Sequence, residues 1–145
     1  MISIELARKL KAAGLTWTPT KNDFFMIPDR SLDDSVFVIS DMAILVEVLR
    51  GKQAVTFHGT PEWALDHMLV ADLLWLPTES QLREQLEMRL VGEPQPAINL
   101  ASIVDGYGCK IQFRSQVAAF EAFGASNAYA LALLYVLKHE QGDQI

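Results

Sequence analysis

The sequence is poor in the residues that staple a fold, export it or anchor it in a bilayer. Its single cysteine, Cys109, cannot form an internal disulfide, and the first twenty residues contain no apolar block of the kind a secretory signal needs. A cytoplasmic location is the expectation from these two absences. The longest uninterrupted apolar run, residues 128–137, is ten residues long where a membrane helix needs about twenty, so no bilayer span is expected. Basic residues are scarce too: 12 Lys and Arg stand against 18 Asp and Glu, a formal net charge of −6. Nucleic-acid affinity comes mainly from lysine and arginine meeting phosphates, so a nucleic acid is not an expected partner.

Catalytic signatures are missing as well. Gly106-x-Gly108 lacks the third glycine and the following helix of a dinucleotide loop, and no glycine-rich turn precedes a Lys-Ser or Lys-Thr pair. Neither Gly-x-Ser-x-Gly nor His-Glu-x-x-His occurs. Cys109 falls on the apolar side of an alternating strand pattern and reads as an inert core thiol rather than a nucleophile. No catalytic residue, metal ligand or cofactor is assigned.

What is present is a globular composition: half of the 145 residues are hydrophobic and 21% are charged. A chain of this size buries roughly two-thirds of its unfolded surface, enough for a core without staples. Ser3 is placed to cap a first helix on which Leu6, Ala7 and Leu10 share a face, with Gly14 as its stop. Short strands are expected over 24–27, 36–39, 44–49 and 54–58, the last two joined at hairpin spacing by Arg50-Gly51-Lys52-Gln53. Alternation sends Val55 and Phe57 to one side of the sheet, and Thr56 and His58 to the other, more polar side. Thr60 as N-cap and Pro61 as first helical residue then start a helix running from Pro61 to about Leu69. "DLLWLP" follows as a short buried strand or extended link.

Thr78 and Gln81 have the spacing of a capping box, and Leu82, Leu86 and Leu90 mark the inner face of the helix it opens. Glu79 with Arg83, and Arg83 with Glu87, are opposite charges four residues apart, each pair worth about 0.2–0.5 kcal/mol. Past Gly92, Pro94 and Pro96, strands are expected over 98–104, 109–113 and 117–123, the first two flanking Asp105-Gly106-Tyr107-Gly108. Cys109, Ile111 and Phe113 alternate with Lys110, Gln112 and Arg114, which gives the middle strand one wet face. Ser126 is the expected cap of a last helix over 127–139. Asn127 and Lys138 form a narrow polar edge on it, and every other direction is apolar. Such a helix must be covered nearly all round, either between the sheet and another helix or at an interface with a second subunit. His139 complements the dipole at its C-terminal end.

The fold class expected is α+β: mostly antiparallel sheets of short strands packed with three to four helices, the apolar C-terminal helix central or at an interface. One domain over 1–145 is expected, with 92–96 as a linker between candidate subdomains 1–91 and 97–145. Acidic residues cluster at Asp23, Asp29, Asp33, Asp34, Asp41 and Glu47, against the single base Arg30. Solvated turns explain them most simply, and a surface for a basic partner or a cation is the alternative. Trp17 and Trp75, each close to a proline, read as core packing, with exposed partner anchors as the rival.

The stretch "TFHGTPEWALDH" concentrates two histidines, two carboxylates and a tryptophan in twelve residues. Glu62 and Asp66 stack on one face of the expected helix, Trp63 and His67 beside them, and His58 enters from the preceding strand. Carboxylates and imidazoles converging from two elements suit a divalent cation or a polar ligand. The simpler reading is a structural joint: Glu62 favoured by the helix dipole, Trp63 as a core anchor, Asp66 and His67 turned to water. His58, Glu62, Trp63, Asp66 and His67 are the candidate ligand- or partner-binding residues.

The phrases "ELARKLKAAGLTW", "FFMIPDRSLDDSVFVISDM", "GTPEWALDHM" and "LLWLPTESQLREQLE", with "YALALLYVL" near the end, resemble a group of small bacterial proteins of Bacillus-like and related genomes. Some of that group carry a pilus-assembly label, which belongs by name to ATPase-like proteins whose phosphate loop this chain lacks. The resemblance spans most of the chain but rests on packing phrases, and it implies no activity and no functional residues. Residues 97–139, with "AFGASNAYALALL", are similar in their strand-strand-strand-helix order to the end of double-stranded RNA-binding domains. Such modules place lysines at the start of that helix, where this chain has Ser126, Asn127 and Ala128, so phosphate-gripping chemistry is not implied. Small phage-encoded αβ proteins show a similar ending.

The functional expectation is a small acidic, non-catalytic interaction or regulatory protein. Its partner would be another protein, of basic character if the acidic segment is the contact, and a homodimer would form through the terminal helix or a sheet edge. The alternative is a metal-dependent hydrolase or small-ligand binder using the stretch from His58 to His67.

Overall fold

The computed structural model describes residues 1–28, 35–40, 44–57 and 67–142. In chain order its elements are α1 (Ile4–Ala12), β1 (Phe24–Met26), β2 (Phe37–Val38), β3 (Ile44–Leu49), β4 (Lys52–Phe57), β5 (His67–Leu69), β6 (Leu74–Leu76), α2 (Glu79–Arg89), β7 (Ile98–Ile103), β8 (Gly106–Phe113), β9 (Gln116–Ala122) and α3 (Ala125–Gly142). A single 3-10 turn, Val70–Asp72, links β5 to β6. The fold is α+β, with three antiparallel three-stranded sheets ordered β2-β1-β6, β3-β4-β5 and β7-β8-β9, and three α-helices among the described residues. Two compact units result, one of Met1–Leu15 with Pro77–Ile145, the other Thr16–Leu76. Residues 92–96, expected as a subdomain linker, join α2 to β7 inside the first unit.

The Thr16–Leu76 unit is built around Phe25, Ile27, Phe37, Ile39, Val55 and Leu73, with Trp17 and Ile44 packed against them. Its β3-β4 hairpin is tighter than expected. Arg50 and Gly51 alone make the turn, with φ of 53° and 78°, and Lys52 and Gln53 already pair with Leu49 and Val48. Two successive positive φ angles match the right-handed twist of the flanking strands. The polar side expected for Thr56 is not found: Ala54, Val55 and Thr56 are all buried, because β4 is the middle strand of its sheet and both of its faces are covered.

Of the helix expected from Pro61 to about Leu69, residues 61–66 lie outside the described residues, and His67–Leu69 is not helix but strand β5, pairing with Thr56, Val55 and Ala54. Capping signals mark where a helix starts and carry nothing about its length. Beside the edge of β4, three residues gain ladder hydrogen bonds that a last helical turn would not supply.

In the other unit, the α1 cap is as expected: Ser3 Oγ accepts from the Leu6 N–H at 3.2 Å, and Ala7 and Leu10 are buried. Gly14, with φ 104°, follows the C-cap in the left-handed conformation that commonly ends helices. The capping box of α2 is complete, the Gln81 N–H donating to Thr78 Oγ1 at 3.2 Å and the Thr78 N–H to Gln81 Oε1 at 2.9 Å. Leu82, Leu86 and Leu90 are buried, and Arg83 pairs with Glu87 at 3.4 Å on the solvated side.

Helix α3 opens at Ala125, ahead of the expected Ser126 cap, with the Ala128 N–H donating to the Gly124 carbonyl at 3.1 Å. It packs against α1, α2, β8 and β9. From 128 to 137 only Leu131 and Tyr135 are less than buried. The apolar girdle is therefore covered by its own chain, and a second subunit is not needed to explain it. Its polar edge is also used: Asn127 Oδ1 accepts from the Ser3 N–H at 2.8 Å, tying the start of α3 to the cap of α1.

Candidate interaction surface

Of the five residues singled out from sequence, His58, Glu62, Trp63 and Asp66 lie outside the described residues, and the backbone of His67 pairs with Thr56 in β5. Among the described residues no group of three or more His, Cys, Asp or Glu side chains gathers as metal ligands would. Cys109 is fully buried, and burial pushes its thiol up to about 11, which keeps it protonated and unreactive at neutral pH.

Asp23, one of the acidic residues considered for a basic partner, is withdrawn from the surface. It is 4% exposed, and one of its carboxylate oxygens accepts from the Trp17 indole N–H at 2.9 Å and the Thr20 N–H at 3.0 Å. Those bonds offset the cost of burying its charge and fold the turn ahead of β1. Trp17 also stacks on Trp75, ring centroids 6.3 Å apart, and leans on Phe25 at 5.7 Å. Both tryptophans thus pack within their own unit. A second aromatic group lies at the far end of α3, where Tyr135 meets Phe113, Phe120 and His139, and Arg114 covers the Phe113 ring. His139 Nδ1 lies 2.8 Å from the Tyr135 carbonyl oxygen, in keeping with its expected place at the helix terminus.

The sheet β7-β8-β9 leaves its outer face open to solvent. Its alternation is as expected: Cys109, Ile111 and Phe113 point to the buried side and Lys110 to solvent. Register places Asn99, Lys110 and Ala119 in one row across the outer face, and Ala101, Gly108 and Glu121 in the next. Ala101, Gly108 and Ala119 leave a low strip between the longer Lys110 and Glu121, and the face carries a trough of about 460 Å³. One wall carries Val117, 61% exposed.

At the end of the same sheet stands an apolar ridge. The β7-β8 turn is shorter than expected, Ile103 pairing directly with Gly106, so Val104 and Asp105 project alone. Val104 is 89% exposed and Phe123, just past β9, 88%. They border a second groove of about 450 Å³ that also touches Leu6, Leu131 and Asn127. Ile103 and Glu121 line both grooves, making the trough and the ridge one continuous surface. The sequence pattern placed a wet face on β8. It did not flag Ala101, Gly108 and Ala119, because the gap they leave exists only once strand register sets them side by side. Val104 and Phe123 are thus two large apolar side chains left in water beside a groove.

Comparison with protein-family models, with curated proteins and with solved structures finds no match for this chain.

Proposed function

We propose that this protein is an interaction or regulatory module, acting by binding another protein chain rather than by catalysis, and that its docking surface is the outer face and apolar end of β7-β8-β9. The observation that carries this reading is the near-complete exposure of Val104 and Phe123 beside a groove. Each such side chain returns about 1.5–3 kcal/mol when it leaves water, so a partner that covers the ridge gains affinity there. Lys110 and Glu121 on the same face give it charges of both signs, which favours a partner of mixed charge over a polyanion.

The test is a photo-crosslinking amino acid placed at Ala119 or at Phe123 in cells producing the protein at its natural level. Met88, 64% exposed on α2, is the control position. A discrete adduct is expected from both sheet positions and none from position 88. No adduct from either sheet position, or equal yields from all three, contradicts the reading.

A further inference from the structure

We infer that the occupant of the outer sheet face is a second copy of this chain, related by a two-fold axis that lies in the interface. The inference rests on the docking surface proposed above and names its partner.

Register supplies the geometry. Lys110 stands opposite Ala119, and Gly108 stands opposite Glu121. The four therefore occupy the corners of a quadrilateral on the outer face, with the two charges on one diagonal and the two smallest side chains on the other. Lys110 and Glu121 are both exposed and form no ion pair with each other.

When two sheets pack face to face, a two-fold axis in the interface plane rotates one face onto the other and exchanges positions on opposite sides of the axis. An axis running close to the Gly108–Ala119 diagonal exchanges the two charged corners. Lys110 then meets Glu121 of the second copy, and Glu121 meets Lys110 of the second copy. One charge pair on the monomer thus becomes two on the dimer, as an isologous contact requires. Between Gly108 and Ala119 nothing larger than a methyl group stands on the axis, and where the same diagonal continues onto β7 it meets Ile103, whose side chain would pack against its own counterpart. Phe123, at the rim, supplies volume for the trough that the small central residues leave. Helix α3 is covered by its own chain, whereas the sheet keeps Val117, Ile103 and Phe123 open for such a dimer.

The charge arrangement makes a swap experiment decisive. Sedimentation equilibrium of the full chain is expected to show a monomer–dimer equilibrium. Lys110→Glu and Glu121→Lys should each weaken dimerisation by about tenfold or more, because each sets like charges against one another. Lys110→Glu combined with Glu121→Lys restores opposite pairs and should return the dissociation constant to near the starting value. Thermal melts of all variants check that each is folded. If either single swap fails to fold, Ala119→Arg, which blocks the axis from an exposed position, takes its place and should give a monomer. A monomeric parent at high micromolar concentration overturns the inference, as does a dimer indifferent to the single swaps and to Ala119→Arg, or a double swap no better than the singles. A monomeric parent whose crosslinks at Ala119 join it to a different protein removes the second copy and keeps the docking surface. Absence of any crosslink removes both.

Discussion

Gly106→Ala is expected to lower stability by about 2–4 kcal/mol, the size of effect that follows when a side chain is forced into backbone. Gly106 opens β8 with φ 156° and pairs with Ile103 directly after the projecting Val104-Asp105 turn. A Cβ at this position would overlap the Ala122 carbonyl oxygen and lie 3.1 Å from Phe123 Cα. Backbone, unlike the tip of a flexible side chain, cannot swing aside, so β8 and β9 must separate at the end of the sheet that carries Phe123. For a domain of this size each kcal/mol shifts Tm by about 2–4 °C, so the drop is readily measured. Gly124→Ala is the matched control, since no atom lies within 4 Å of an added Cβ there. It should change stability by less than about 0.5 kcal/mol. Similar melting temperatures for the two variants would mean that the β8-β9 pairing at Gly106 is not as described.

Leu133→Ala carries the second large effect, about 2–5 kcal/mol, because a fully enclosed leucine leaves both a lost transfer term and a cavity. Leu133 is 0% exposed on α3, where α1, α2 and the sheet close around the helix. Leu131, two residues earlier, is half-buried and lines the groove beside Val104 and Phe123. Its replacement by alanine should cost about 1 kcal/mol, since less area leaves contact and solvent can fill the space. Chemical denaturation of the two variants at several protein concentrations reads both numbers. A Leu133→Ala loss that grows on dilution would mean that a second subunit, not the chain itself, covers this side of α3.

Much of the fold was legible because local rules and tertiary packing agree. Ser3, Thr78 and Gln81 cap the helices that their spacing indicates, and the alternation along β8 matches the buried row of Cys109, Ile111 and Phe113. Residues 128–137 of α3 showed in their composition alone that they would be enclosed. The misreadings arise where a distant residue decides. His67–Leu69 follows a strong helix start yet joins β4 as a strand, and Thr56 is covered because β4 became a central strand. Asp23 reads as a surface acid until the Trp17 indole, six residues away, is placed against it. Asn127 reads only as part of a narrow polar edge until α1 brings Ser3 to it.

The proposed docking surface was the least legible part. Alanine and glycine at 101, 108 and 119 carry no hydrophobic signal, and Val104 and Phe123 read as ordinary strand-end residues. Their meaning lies in what is absent around them: a covered helix on one side of the sheet and open space on the other. The stretch chosen from sequence drew attention through its reactive side chains, a chemical signal. The sheet face carries a geometric one.

Oxidative footprinting of side chains across a dilution series tests the central claim most directly, namely that α3 is covered by its own chain while the sheet end is open. Phe123, 88% exposed, and Tyr129, 5% exposed on α3, are the two reporters, each normalised to its rate in the unfolded chain. At high dilution Phe123 should approach its unfolded rate while Tyr129 stays slow at every concentration. Tyr129 becoming as reactive as Phe123 on dilution would show that α3 depends on a second subunit for its cover, and would contradict the account.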